Sequence, residues 1–137
     1  MGQPAAKQGD KITAKDTHSI ISTALGTPAV ETCPFSGILQ DGLSGNVMIM
    51  GCPAATVGSV AVNTPRHKSK AGKFANTIKK PPSPAEPTNK GHVSRGSNTV
   101  MINGKAAARN GDSAYTCNDP VDLEVGTVSA SGSVMIG

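Results

Sequence analysis

The chain has 137 residues, of which 36% are hydrophobic and only 2% aromatic, with 16 glycines, 10 prolines, 3 cysteines and no tryptophan. One domain fits this length, but its core must be built from Ala, Val, Ile and Met, so a metal or a partner chain is expected to add stability. No apolar run of about eighteen residues and no basic-then-apolar leader occurs, which excludes a membrane-spanning helix and a classical signal peptide; three irregularly spaced cysteines make no disulfide framework, although a Cys33–Cys52 bridge remains open.

The first element is a turn phrase, Gly2-Gln3-Pro4-Ala5-Ala6-Lys7-Gln8-Gly9-Asp10. Its proline fixes φ and its glycines permit φ > 0. Weak strands are predicted near 11–15 and 27–31. A stronger one, 47–50, lies in Asn46-Val47-Met48-Ile49-Met50 and leads into a second copy of the phrase, Gly51-Cys52-Pro53-Ala54-Ala55-Thr56-Val57-Gly58-Ser59. A strand over 59–63 follows.

From about 63 to 97 the pattern breaks. Lys79-Lys80-Pro81-Pro82-Ser83-Pro84-Ala85-Glu86-Pro87 cannot join a central strand. A long exposed loop of extended or polyproline character is predicted, with one short helix over 69–79. Arg66, Lys68, Lys70, Lys73, Lys79, Lys80, Lys90 and Arg95 face Glu86 alone here, so the net charge of +4 is concentrated in this segment. The rest of the chain is net acidic.

A third leader, Asn98-Thr99-Val100-Met101-Ile102-Asn103, and a third phrase, Gly104-Lys105-Ala106-Ala107-Ala108-Arg109-Asn110-Gly111-Asp112, come next. Strands are predicted at 99–103, 121–128 and 133–136. The last lies in Ser133-Val134-Met135-Ile136-Gly137, a leader without a phrase. A phrase returning in this way means one supersecondary unit built three times. The leader absent before the first copy stands at the other end of the chain, so a closed ring is expected. Its strand-turn-strand units lie near 1–20, 44–67 and 97–120, with 133–137 as the closing strand and 63–97 as an insertion. The fold class is all-β, in a single domain over 1–137.

Repeated Pro-Ala-Ala-Arg-type turns, each led by a Val/Ile strand and a glycine, resemble the PAAR-repeat proteins. These form the tips of type VI secretion systems, phage-like extracellular injection particles and some contractile phage tails. The resemblance covers roughly 1–20, 44–67 and 96–137. It departs where Lys7 and Thr56 replace Arg and where Ala106 replaces Pro. It implies a small cone of pseudo-threefold symmetry whose flat base caps a trimeric β-helical spike, one tip per trimer. The unpaired strand ends of such a spike call for an edge-completing cap. Val47, Ile49, Val100, Ile102, Val134 and Ile136 are the expected spike-binding residues. It also implies assembly in the cytoplasm, delivery outside the cell or into a target cell, transient contact with the target membrane, and carriage of effector proteins.

The chain has three histidines. His18 and His67 each lie sixteen residues after the first glycine of their unit, Gly2 and Gly51. Cys117 stands near the matching place in the third unit, and His92 precedes the third leader. Zinc-binding PAAR tips use three histidines and one cysteine near the apex, which implies His18, His67, His92 and Cys117 as ligands of one structural Zn2+ here. Such a set is closed, with no open position for water. Cys33 and Cys52 are the substitutes.

No Gly-x-Ser-x-Gly elbow or phosphate loop is present, so no enzyme activity is expected. A nucleic-acid binder would use the basic segment, but Phe74 is its only stacking ring, so no specific nucleic-acid partner is expected. The competing reading is a metal-stabilised binding module whose basic loop contacts anionic membrane or nucleic acid.

Overall fold

The computed structural model describes residues 2–75, 86–119 and 121–137. The strands, in chain order, are β1 (Gln3–Pro4), β2 (Lys11–Ser22), β3 (Pro28–Asp41), β4 (Met48–Ile49), β5 (Cys52–Pro53), β6 (Val60–Asn63), β7 (Gly72–Phe74), β8 (Lys90–Val93), β9 (Met101–Ile102), β10 (Lys105–Ala106), β11 (Ser113–Thr116), β12 (Leu123–Ser129) and β13 (Met135–Ile136). There is no helix among the described residues. The helix expected over 69–79 is replaced by β7 at Gly72–Phe74, and its end, like most of the Pro-rich run, lies outside the described residues.

Three short antiparallel ladders repeat one register. Met48 pairs with Pro53 and Ile49 with Cys52; Met101 pairs with Ala106 and Ile102 with Lys105. The first unit is completed across the whole chain, with Gln3 opposite Ile136 and Pro4 opposite Met135. The expected closing strand is thus present. Leader and phrase are also tied by equivalent bonds: Ala5, Ala54 and Ala107 donate their N–H to the carbonyls of Val134, Val47 and Val100 at 2.9, 3.0 and 3.0 Å.

The second alanine of each phrase closes a ring. Ala6 N–H donates to Ala108 O (2.9 Å), Ala108 N–H to Ala55 O (3.0 Å), and Ala55 N–H to Ala6 O (3.0 Å). Successive side chains of an extended chain point opposite ways. Ala5, Ala54 and Ala107 therefore enter a small cluster with Ile49, Ile102 and Ile136. Ala6, Ala55 and Ala108 enter the main core with Ile12, Phe35, Leu39, Val93, Ala114 and Val128. All six alanines are buried. Close approach of three backbones at the axis leaves room for a methyl group and little else.

Beyond the ring, six antiparallel strands close a barrel in the order β2-β3-β6-β8-β11-β12 and back to β2. Strands that follow a phrase (β2, β6, β11) alternate with strands that precede the next leader (β3, β8, β12), so the barrel keeps the threefold rule. Gly9, Gly58 and Gly111 turn the chain into the barrel at φ of 93, 94 and 88°. Their N–H groups donate to Leu39, Val93 and Val128 O at 3.1, 2.9 and 2.8 Å. Phe35 is the bulkiest core side chain, and two glycines make space for it. A Cβ on Gly37 would sit 2.7 Å from Phe35 Cε1, and one on Gly91 would sit 2.7 Å from Tyr115 O and 3.2 Å from Phe35 Cζ.

The strands predicted as weak are the longest. β2 and β3 form a hairpin paired from Lys11↔Ile38 to Ile21↔Pro28, which outreaches the other barrel strands. β7 pairs with its end at Ile20↔Phe74. The hairpin loop carries Leu25, 76% exposed. The molecule is a small all-β cone, with the three ladders at one end and this hairpin at the other.

Candidate metal centre

The inward face of β2 runs Ile12, Asp16, His18 and Ile20, all buried. The segment between β6 and β7 crosses the barrel mouth and brings in His67. The turn after β11 brings in Cys117. Ligand atoms of Asp16, His18, His67 and Cys117 all lie within 4.8 Å of one another, and all four residues are buried. Three of the four expected ligands thus meet. His92 does not join them. Its neighbours Gly91 and Val93 face the core, so strand alternation turns His92 outward. There its ring stacks on Tyr115, with centroids 5.2 Å apart and an interplanar angle of 22°. Asp16 takes the fourth place. The sequence signal for it was Asp16-x-His18, two residues apart and therefore on one face of a strand. Among the proposed substitutes, Cys33 lies directly opposite Asp16 in the β2–β3 register. Cys52 lies in β5, in the ladder end. All three cysteines are free, so no Cys33–Cys52 bridge is present.

Asp16 is the hub of this cluster. It accepts from Thr116 Oγ1, from Asn118 Nδ2 at 3.4 Å, and from Cys117 Sγ at 3.4 Å. His67 Nε2 lies 2.8 Å from Asp16 Oδ2. The outer nitrogen of His67, Nδ1, faces Asn63 Nδ2 at 3.2 Å. Asn63 is oriented by Ser36 N–H donating to its Oδ1 (2.8 Å) and by its own donation to Asn89 Oδ1 (3.1 Å). The amide thus donates to Nδ1, which assigns the imidazole proton to Nε2 and to Asp16.

Burial holds His18 below its ordinary pKa, against the pull of the Asp119 carboxylate; the neighbouring His67 adds to the lowering. His18 Nδ1 approaches Asp119 Oδ2 at 3.3 Å without hydrogen-bond alignment. Burial, and then the Asp16 carboxylate, push the Cys117 thiol up to about 12.

This donor set fits a divalent cation. Two imidazoles, a thiol and a carboxylate offer the nitrogen, sulfur and oxygen ligands typical of transition metals. A cation of charge +2 would balance the carboxylate and release the thiol proton that burial otherwise retains. Asp119 lies behind His18 as a carboxylate partner for the outer ring nitrogen. Coordination by His67 Nε2 asks its proton to move to Nδ1 and the Asn63 amide to turn. The cluster can therefore hold a metal ion.

At the opposite end, Ile49, Ile102 and Ile136 are buried in the ladder cluster, and Val47 and Val100 are packed against it. The expected contact isoleucines thus point into the protein, because strand alternation assigns the outward positions to the methionines between Val and Ile. Met48, Met101 and Met135 are 54, 62 and 57% exposed, and Val134 is exposed beside them. The ninth residue of each phrase has a role that sequence reasoning missed. Asp10, Ser59 and Asp112 accept from the N–H of Lys7, Thr56 and Arg109 at 3.1, 2.9 and 2.7 Å. Lys7 and Arg109 add ion pairs to the same aspartates at 3.0 and 2.9 Å. Recurrence of Asp/Ser three residues after Lys7, Thr56 and Arg109 was the available signal.

The PAAR motif model matches residues 84–137. Comparisons with curated proteins and with solved structures return no match. The matched segment holds the third leader, the third phrase and the closing strand, and the first two units reproduce its ladders and ring bonds. No helix of the described residues is long and apolar enough to cross a membrane. Residues 84–137 thus carry a PAAR motif, the motif of spike-tip proteins of contractile injection systems, and the unit they hold is built three times about one axis.

Proposed function

We propose that the chain caps the end of a trimeric β-helical spike, one tip per trimer, and leads it through a target envelope. The observation that carries this reading is the ring of hydrogen bonds among Ala6, Ala55 and Ala108. It gives one polypeptide three near-equivalent faces, which is what a single chain needs to meet a symmetric trimer. Met48, Met101 and Met135 would form the contact surface, with Val134 beside them. Methionine is flexible and polarizable, so three such side chains adapt to a partner surface. Val47, Ile49, Val100, Ile102 and Ile136 would support them from within. All of 1–137 would act as one tip domain, made in the cytoplasm and delivered by the machine, with effectors carried on it.

One structural zinc ion would be held by His18, His67 and Cys117 with Asp16. It would supply a cross-link between β2, the β6–β7 segment and the end of β11, with no open position for hydrolysis. The chain's own residues prepare this site: burial excludes water, Asp119 backs His18, and Thr116 and Asn118 hold Asp16.

The test is reconstitution with the cognate spike trimer. Light scattering or native mass spectrometry should return one tip per trimer. Any other ratio, or no complex, overturns the proposal.

A further inference from the structure

We propose that a groove on the flank of the barrel mouth docks an extended acidic segment of a partner protein, added as a strand to the free edge of β3. β3 pairs with β2 back to Pro28, but with β6 only from Gly37 to Asp41. From Ser36 toward Pro28 it therefore has a strand partner on one side only, among the described residues. The polarity of that edge follows from Ser36. Its N–H donates to Asn63 Oδ1 at 2.8 Å, and its carbonyl accepts from Thr64 N–H at 3.2 Å. Backbone groups alternate along a strand, so Thr32 directs both N–H and C=O outward, and Pro34 directs its carbonyl alone. An edge of this kind recruits extended chains. Pro34, lacking an N–H, restricts the register: the added strand must set a donor against it.

A cavity of about 350 Å³ lies between this edge and the 63–70 segment. Its walls include Cys33, Pro34 and Pro65, and its rim carries Arg66, Lys68 and Lys70. The three cations are exposed and have no ion-pair partner among the described residues. The one acid at the rim, Glu31, is engaged by the N–H groups of Ala71 (2.8 Å) and Lys70 (3.0 Å) and by the Ser69 hydroxyl (3.2 Å). The groove thus offers a free strand edge, a small apolar pocket and an excess of positive charge. An acidic strand with alternate small apolar side chains satisfies all three. A lipid headgroup would use only the charge. A nucleic acid would want stacking rings, and no Phe, Tyr or Trp lines the cavity among the described residues. Because the groove lies at the barrel mouth, away from the ladders, a docked partner leaves the spike-facing end free.

The probes are acetyl-Asp-Val-Glu-Val-Asp-Val-amide and its counterpart with Lys at the acidic positions, titrated into the 15N-labelled protein. The acidic peptide should shift amides at Thr32 and over 64–70, and bind at least about tenfold tighter than the basic one. The R66E/K68E/K70E variant should reverse that preference. Thr32→Pro, which deletes the outward N–H at the edge, should weaken the acidic peptide about tenfold while the rest of the spectrum is retained. Equal affinities, shifts elsewhere, or full affinity in Thr32→Pro overturn the proposal. So does stronger binding to phosphatidylserine vesicles or single-stranded DNA that the peptide does not displace. The charge-reversed variant should still bind the spike trimer one to one, so failure of the groove and failure of the tip reading are separately visible.

Discussion

The two ends of this cone obey the same rule to different depths. At the ladder end, the alanine-ring bonds and the leader–phrase bonds each recur three times with distances that agree within a tenth of an ångström, and the side chains are nearly interchangeable: three alanines, three isoleucines, three methionines. In the barrel the rule still holds for Ile12, Ala61 and Ala114, each ten residues after its unit's first glycine and each buried. One inward position further along, the residues are Ala14, Asn63 and Thr116, and beyond them only His18 and His67 still share an offset. One pair of strands grows into a long hairpin, and the four potential ligands come from three unequal places. Repetition is kept where backbone meets backbone near the axis. It is lost where side chains alone must fill and stiffen a narrowing space.

The comparison can be broken most severely at the barrel end. Metal analysis of purified protein should find about one zinc per chain. Chelation should remove a contribution on the order of 10 kcal/mol, lowering Tm steeply, with amide exchange rising first in β2 and the 64–72 segment. A zinc-free protein of undiminished Tm refutes the metal cross-link. At the other end, replacing Met48, Met101 and Met135 together by Asp should abolish capture of the spike trimer. Each single change should alter folding stability by less than about 0.5 kcal/mol, because the side chains are exposed. Retained capture would relocate the contact surface. Ala108→Leu should cost about 1–3 kcal/mol in denaturant unfolding, since the axis has no room for three more carbons.

The metal-free protein should also be acid-sensitive in a defined window. His18 is held below its ordinary value near 6.5 in the folded state, so the unfolded chain binds the extra proton first. Stability is full above that value and falls as pH drops through the folded pKa. An unfolding midpoint that rises on acidification from pH 7 to 5 would contradict this sign. The smallest effect belongs to His92→Ala. It should leave zinc content unchanged and shift stability by less than about 0.5 kcal/mol, because the ring lies outside on Tyr115. Loss of zinc in that variant would restore His92 to the ligand set.

Much of the ladder end was legible because its signal is repetition, which needs no knowledge of which face is buried. The orphan Val134-Met135-Ile136 pointed to closure across the chain, and the equal offsets of His18 and His67 pointed to one site. Orientation was harder to read. Alternation says that Ile49 and Met48 face opposite ways, but not which faces in; the packing of three isoleucines about an axis decides that. The same ambiguity put His92 rather than Asp16 in the expected cluster, because choosing by residue type ignores that Gly91 and Val93 claim the inside of β8. The length of β2 was hidden because Asp16 and His18 interrupt its apolar face. Polar residues there look like a strand's end; what the sequence hides is the buried cluster in which Asp16 and His18 meet His67 and Cys117.

The hydrogen-bond ring among Ala6, Ala55 and Ala108 has a consequence for imaging. A tip whose base looks alike in three directions can seat on a symmetric spike in three orientations, 120° apart by the arithmetic of a threefold axis. The ladders superimpose in all three, while the β2–β3 hairpin points along three different azimuths. Averaged particles should therefore show a sharp base and a blurred apex, and sorting them on the hairpin alone should recover three classes of equal occupancy.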